Sequence, residues 1–155
     1  MPIENYKSII YNRKSKTTDD NSVIYEKVYL YDEVKEKLKH NLKVMPKDNN
    51  INGVVYIWKI RKGKAETLKL SMDEKFSVWK NEYNKFIDDF NANVYIYYIS
   101  TIDSLRYKHY RTIIVLMDKK DKLENLYKYL DYTDIEQYVK KPFIEKIEEL
   151  RKTET

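Results

Sequence analysis

The sequence SMDEKFSVWKNEYNKFIDDF at residues 71–90 contains three of the chain's four Phe residues and one of its two Trp residues. Its apolar side chains recur at steps of three and four residues, which places them on one face of an α-helix. They are Met72, Phe76, Trp79, Tyr83, Phe86, Ile87 and Phe90. Ser71 and Glu74 have the spacing of a capping box, in which each side chain accepts the other residue's backbone N–H. The stretch therefore predicts an amphipathic helix whose aromatic face covers the core.

The segment before this stretch is typical of a β-hairpin. Strand-type sequence at residues 54–60 and 65–70 flanks the turn Arg61-Lys62-Gly63-Lys64. Gly63 stands where such a turn requires a positive φ, which glycine adopts without steric cost. These residues are therefore predicted to form two antiparallel strands that lead directly into the helix.

The segment after the stretch predicts a second hairpin. The sequence VYIYYI at residues 94–99 is apolar at every position, as expected of a central strand that is buried on both faces. The polar residues 100–104 are predicted to turn into a long strand over residues 105–117. The second half of that strand, TIIVLM, is predicted to be buried.

The N-terminal part repeats this order. Residues 6–12 and 23–30 have strand character, and the polar residues 15–22 between them indicate a loop. A helix is predicted to begin at Asp32 and to bear Val34, Leu38 and Leu42 on one face.

The C-terminal part is predicted to be helical. Capping-box spacing starts one helix at Asp121, with Glu124, and another at Thr133, with Glu136. Pro142 is a favourable first helical residue and is predicted to begin a last helical segment.

The order of elements predicts the fold class. Three hairpin-helix units favour an α+β fold: a mostly antiparallel sheet with the helices on one face, followed by a C-terminal helical tail. The length suits a single domain over residues 1–155, with residues 152–155 frayed.

Composition excludes several classes of function. The chain has no Cys, so it has no disulfide and no thiolate metal site or nucleophile. With Gly53 and Gly63 as its two glycines, it has no Walker-type phosphate loop and no dinucleotide glycine cluster. His40 and His109 have no His, Asp or Glu partner at metal-ligand spacing. No apolar run predicts a membrane span or a secretory signal, so we expect a cytoplasmic protein.

The charge of the chain favours an anionic partner. Lys and Arg number 30 against 25 Asp and Glu, a formal net charge of +5. Nucleic acid is the first expectation, and an anionic membrane surface is the second. Abundant Lys, Glu and Tyr with scarce Gln is typical of proteins that withstand heat. In this composition the chain resembles small proteins of viruses that infect hot-spring archaea. The composition suits a phage of an AT-rich bacterium equally well, so the resemblance implies a viral or phage origin and no residue roles.

Two basic segments are predicted to contact nucleic acid. The first is the hairpin tip, where a tight turn can bring several cations beside phosphates. The second is a strand end in which basic and aromatic residues alternate, as expected of a phosphate track with a base stacked on a Tyr. The predicted residues are Lys59, Arg61, Lys62 and Lys64 at the tip and Arg106, Lys108, Tyr110 and Arg111 at the strand end. The alternative is that the lysines maintain solubility and that the tyrosines pack within the sheet.

A catalytic alternative depends on two acidic residues that flank the long strand. Asp103 precedes the strand, and Asp118-Lys119-Lys120 follows its apolar half. This order resembles the core of the restriction-type nuclease superfamily. The resemblance implies that Asp103 and Asp118 bind Mg²⁺ or Mn²⁺, that Lys120 activates the attacking water, and that Glu82 or Asp89 adds a carboxylate. Outside this hypothesis no cofactor is expected.

A third class remains open, in which the Tyr-rich strands offer an edge or a flat aromatic face to another protein. The sequence therefore predicts a nucleic-acid-binding protein first. A metal-dependent nuclease and a protein-interaction module are the alternatives, so whether the chain is an enzyme stays open.

Overall fold

The computed structural model of the protein describes residues 6–16, 23–29, 51–71, 81–83, 85–86, 92–103 and 108–153. Six strands of these residues form one sheet, and two helices follow the last strand. The strands are β1 (Tyr6–Lys16), β2 (Val23–Tyr29), β3 (Ile51–Arg61), β4 (Lys64–Ser71), β5 (Val94–Asp103) and β6 (Lys108–Asp118). The helices are α1 (Asn125–Leu130) and α2 (Gln137–Thr153).

The sheet has the order β2-β1-β6-β5-β3-β4, and every pair of neighbours is antiparallel. All three predicted hairpins form, as β1 with β2, β3 with β4, and β5 with β6. The α+β class with an antiparallel sheet is confirmed. The helix predicted from Asp32 and most of residues 71–90, including Asp89, lie outside the described residues.

Strands β1, β3 and β5 extend further than the sequence predicts, and β3 begins at Ile51 instead of Val54. β1 continues to Lys16 and β5 continues to Asp103, through residues that were expected to form loops. Lys16 and Asp103 both pair with Lys108, one from each side of β6. Pairing at strand ends uses backbone groups, so polar side chains do not end a strand whose neighbour is long enough to pair with it.

Strand β5 shows how the core is divided, because its alternating side chains are buried on both faces of the sheet. On one face its residues pack with α1 and α2, including Phe143 of α2. On the other face they pack with Tyr83 and Phe86. The first set is Val94, Ile96 and Tyr98, and the second is Tyr95, Tyr97 and Ile99. Helical residues therefore cover both faces, which differs from the predicted single helical layer. The reason is that β5 and β6 are apolar on both sides, and each side has to be removed from water.

The C-terminal helices begin later than the capping-box spacing predicts. Asp121 lies before α1, and one of its carboxylate oxygens accepts hydrogen bonds from the Lys122 N–H and the Asn125 side-chain amide. The Thr133 hydroxyl donates to the Leu130 carbonyl at 2.8 Å. Pro142 does not begin a helix but lies inside α2. Both capping interpretations and the placement of Pro142 are therefore wrong.

Candidate nucleic-acid interface

The hairpin tip is built by two consecutive residues with positive φ. Lys62 has φ 51° and Gly63 has φ 76°, the combination of a type I′ turn, whose twist matches that of the flanking strands. The prediction for Gly63 is confirmed. The Lys62 N–H donates to the Asn93 side-chain oxygen at 3.0 Å, and the Asn93 N–H donates to the Ile60 carbonyl at 2.9 Å. The tip is therefore tied to the start of β5.

Three of the four predicted tip cations are exposed, namely Arg61, Lys62 and Lys64. Lys59 is different, because its side chain is only 20% exposed. Its ammonium donates to the Phe86 carbonyl at 3.0 Å, lies 4.7 Å from the centre of the Phe86 ring and is 3.2 Å from the Glu66 carboxylate. Lys59 therefore stabilises the sheet face and is not free to contact a phosphate without giving up these partners.

The strand register brings a second group of lysines near the tip. Ile60 pairs with Val94, and Val94 pairs with Met117. The end of β6 consequently lies two strands from the tip, about 10 Å away at the usual spacing of neighbouring strands. Just beyond that end, Lys119 and Lys120 are exposed.

We call this surface the tip end, and it comprises Arg61, Lys62, Lys64, Lys119 and Lys120. Lys119 was not among the predicted contacts, and Lys120 was assigned to the nuclease hypothesis. The only signal that could have found them was the charge run itself, since their proximity to the tip follows from the register.

Hydrogen bonds to Asp118 and Asp121 stabilise the turn that follows β6. The Asp118 carboxylate accepts the Lys120 N–H at 2.9 Å, and the Asp118 carbonyl accepts the Asp121 N–H at 2.9 Å. The Tyr129 hydroxyl donates to the second oxygen of Asp121 at 2.8 Å. Burial, this hydrogen bond and the Asp121 charge raise the pKa of Tyr129 to about 12. Asp118 and Asp121 thus have partners within the protein, while the lysines between them extend into solvent.

The second predicted basic segment lies at the opposite end of the sheet. Lys108 pairs with Asp103, nine residues along β6 from Met117, which corresponds to roughly 30 Å at the rise of a strand. Arg106 lies outside the described residues, and Lys108 and Tyr110 are placed only by their positions in β6. The two predicted segments therefore do not form one continuous surface.

Arg111, which was predicted to contact nucleic acid, is buried. It is 8% exposed, and its guanidinium donates to Nδ1 of His109 at 2.9 Å. Arg13 is its direct partner on β1. Both guanidiniums lie against the ring of Tyr138, at 5.2 Å for Arg13 and 5.1 Å for Arg111. We call Arg13, His109, Arg111 and Tyr138 the arginine end.

Pro142 explains why Arg13 lies there. A proline inside a helix has no N–H for the carbonyl four residues earlier, and its ring displaces that carbonyl. For Pro142 this carbonyl belongs to Tyr138, and Arg13 donates a hydrogen bond to it. Val139 and Phe143 on either side of the proline are both buried. The helix therefore continues through Pro142 because β1 supplies the missing donor and because both sides of the proline are held in the core.

The residues of the nuclease hypothesis are not brought together. Asp103 and Asp118 lie at opposite ends of the paired strands β5 and β6, about 30 Å apart at the rise of a strand. Glu82 is exposed, and Lys120 belongs to the tip end. Within the described ranges no group of three or more His, Asp or Glu side chains could hold a metal ion. One cation cannot be shared by Asp103 and Asp118 of the same chain.

Comparison with known proteins finds no matching family model, no matching curated protein and no matching solved structure. In the part of the chain that the structure describes, no helix is long and apolar enough to cross a membrane. The function of the chain therefore has to be inferred from its own geometry.

Proposed function

We propose that this protein binds nucleic acid through the tip end and that its contacts are to phosphate groups. The observation that supports the proposal is the register Ile60-Val94-Met117, which gathers five exposed cations from two distant segments at one end of a rigid sheet. Hydrated Lys and Arg side chains on such a surface exchange their counterions for phosphates, the main source of affinity in nucleic-acid binding.

The shape of the tip end favours contacts to the backbone over contacts to bases. The cations lie on a tight turn and on the turn after β6, and such contacts position a protein on a duplex without reading its sequence. The role we propose is non-enzymatic, since Asp103 and Asp118 are too far apart to share a metal ion. Together with the composition, the proposal extends to a viral or phage-encoded protein that acts in the cytoplasm of its host.

Binding of a short labelled DNA duplex, DNA single strand and RNA, measured by fluorescence anisotropy at several salt concentrations, tests the proposal. With about four phosphate contacts, the affinity should fall roughly 100-fold between about 50 and 200 mM salt. The variant carrying Lys64→Glu and Lys119→Glu should lose most of the affinity. A matched variant with Lys69→Glu and Lys141→Glu changes the net charge equally at exposed positions away from the tip end, and it should retain binding.

Several outcomes would contradict the proposal. Equal losses in the two double variants would show that net charge, and not the tip end, determines binding. Binding that does not change with salt would argue against phosphate contacts. Cleavage of the nucleic acid with Mg²⁺ or Mn²⁺ that stops with chelator would instead support the nuclease alternative. Absent binding, with one protein captured after nuclease treatment, would support the protein-interaction alternative.

A further inference from the structure

The arginine end places two like charges directly opposite each other. Arg13 of β1 and Arg111 of β6 are register partners on antiparallel strands, where Cα atoms are about 4.5–5.5 Å apart. Both side chains also lie on the same face, since both contact the ring of Tyr138. Like charges at directly opposed positions destabilise a sheet, so Arg111 lies beside a second positive charge.

Arg111 is the more unusual of the two arginines. More than nine-tenths of the residue is removed from solvent, and its Nε has no hydrogen-bond partner. Among the described residues, no carboxylate lies within ion-pair distance of it. The carboxylate of Glu136, next to α2, accepts the Tyr98 hydroxyl at 2.7 Å. A buried guanidinium is normally paired, because removing an unpaired charge from water is costly.

The surroundings of Arg111 supply further donors. His109 accepts a hydrogen bond from Arg111 at Nδ1, so its Nε2 carries the proton as a second donor. Burial and the charge of Arg111 lower the pKa of His109. The first turn of α2, which carries Tyr138, adds the positive end of a 17-residue helix. Tyr138 itself is 49% exposed, so the group that it covers lies close to the surface.

From this geometry we propose that the arginine end binds a phosphate group through Arg111, with Arg13 and His109 beside it. The guanidinium fork matches phosphate oxygens in pairs. The Nε–H of Arg111 and the Nε2–H of His109 are donors without acceptors among the described residues, which suits an oxyanion and excludes a cation. A dianion would also compensate the buried charge of Arg111. The phosphate comes from inorganic phosphate or from the phosphomonoester of a nucleotide, which share this chemistry.

This site is independent of the proposed nucleic-acid surface, because Arg111 lies six residues along β6 from Met117, the residue aligned with the tip. That separation is roughly 20 Å along the strand. Loss of DNA binding in the tip-end variant should leave phosphate binding unchanged. Failure of one proposal can therefore be distinguished from failure of the other.

The test is a titration of the full chain with inorganic phosphate at constant ionic strength, followed by thermal unfolding and by the NMR signals of His109. Phosphate should raise the melting temperature of the wild type and raise the pKa of His109, because an anion beside the imidazole favours its charged form. Arg111→Gln should weaken binding at least about 10-fold, and Arg111→Lys should be intermediate because it keeps the charge and loses the fork. Arg151→Gln, at an exposed arginine of α2 paired with Glu124 and Glu148, is the matched control and should bind as the wild type does.

The stability of the variants separates a binding site from a purely structural arginine. If Arg111 serves a ligand, Arg111→Gln without phosphate should be at least as stable as the wild type, since a buried charge is removed. A structural role predicts the reverse, namely a lower melting temperature and no response of either protein to phosphate.

The proposal is overturned if phosphate changes neither the melting temperature nor the His109 signals of the wild type. It is also overturned if Arg111→Gln responds to phosphate as the wild type does, because phosphate stabilises many proteins without a site. Should Arg111→Gln fail to fold, the wild-type titration and Arg111→Lys still decide the question. Adenosine monophosphate binding about 10-fold tighter than inorganic phosphate would identify a nucleotide as the source, and equal binding would identify free phosphate.

Discussion

The two ends of the sheet carry the same kind of charge in opposite physical settings. At the tip end, Arg61, Lys62 and Lys64 are exposed and hydrated, where ion interactions are weak and screened by salt. At the arginine end, Arg13 and Arg111 lie against one aromatic ring, and Arg111 is buried. Burial therefore decides whether a cation is available to an external polyanion or is committed to the fold and to one anion.

Substitutions at the two ends of the sheet should affect stability differently. Changing a cation at the tip end should alter binding and leave unfolding nearly unchanged. Changing Arg13 should alter unfolding, because its guanidinium satisfies the Tyr138 carbonyl that Pro142 leaves without a donor. The following experiments test this contrast, beginning with the largest expected effect.

The contact between Arg13 and Tyr138 can be tested by a double-mutant cycle with Pro142. Arg13→Ala should lower the free energy of unfolding by about 2 kcal/mol, the typical contribution of a hydrogen bond from a charged donor. In a Pro142→Ala background the helix supplies its own N–H, and the loss should shrink by about 1 kcal/mol. Urea unfolding of the four proteins measures the coupling.

The control for that cycle pairs Pro142→Ala with Arg151→Ala, since Arg151 contacts Glu124 and Glu148 and not Tyr138. These two changes should be additive. Additivity of Arg13→Ala with Pro142→Ala as well would contradict the role that we assign to Arg13.

The turn at the tip offers a change in which stability and binding move in opposite directions. Lys62 has a positive φ, which is unfavourable for most side chains and well tolerated by Asn, so Lys62→Asn should stabilise the fold by about 0.5 kcal/mol. It also removes one phosphate contact, and the salt slope of DNA binding should decrease by about 1. Thermal unfolding and anisotropy measure the two effects.

The matched change is Lys64→Asn, at an exposed neighbour of the turn that lacks a positive φ. It should lower the salt slope similarly without the gain in stability. A loss of stability in Lys62→Asn would mean that the charge of Lys62 is part of the fold, which would remove the contrast between the two ends.

The smallest expected effect concerns the hydrogen bond from the Tyr129 hydroxyl to the Asp121 carboxylate. The pKa of Tyr129 is about 12 in the folded protein, against 10.0 for an unperturbed Tyr. Between about pH 10 and pH 12, Tyr129 keeps its hydroxyl proton in the native state and releases it in the unfolded state. The contribution to stability is therefore complete below about pH 10 and is lost as the pH rises towards about 12. Tyr129→Phe should unfold with a weaker dependence on pH in this range, measured by urea unfolding.

Tyr56→Phe, which keeps the ring that stacks on Trp58 in β3, serves as the control and should keep the pH dependence of the wild type. An identical alkaline profile for Tyr129→Phe and the wild type would show that the bond to Asp121 does not contribute to folding.

Local sequence signals predicted much of the sheet. The turn at Lys62-Gly63 and the central strand that starts at Val94 were both predicted, because a tight turn and a strand buried on both sides each leave a signature within a few residues. The limits of β1 and β5 were not predicted. Their polar ends, Lys16 and Asp103, pair because β6 extends past them, and this condition lies outside their own sequence.

The candidate sites were predicted less well than the fold. Arg111 was predicted to contact nucleic acid, since it lies in a segment where basic and aromatic residues alternate, and the structure places it under Tyr138. Lys119 was overlooked because it is far in sequence from the hairpin whose end it joins. Both residues are placed by contacts between segments that are distant in sequence, and neither strand alternation nor local charge identifies such contacts.

The sequence by itself determined the hairpins, the position of the tip turn, the apolar character of β5 and the absence of thiol chemistry. These properties depend on residue type and on spacing over a few residues, where backbone geometry and burial act locally. Tertiary structure decided which charges are exposed and which are buried. The register across β3, β5 and β6 joined Lys119 to the hairpin tip and separated Asp103 from Asp118. The packing of α2 on β1 and β6 covered Arg111 and gave Arg13 the carbonyl that Pro142 had left free. Hydration and ion pairing depend on every group nearby in space, and only the folded chain brings those groups together.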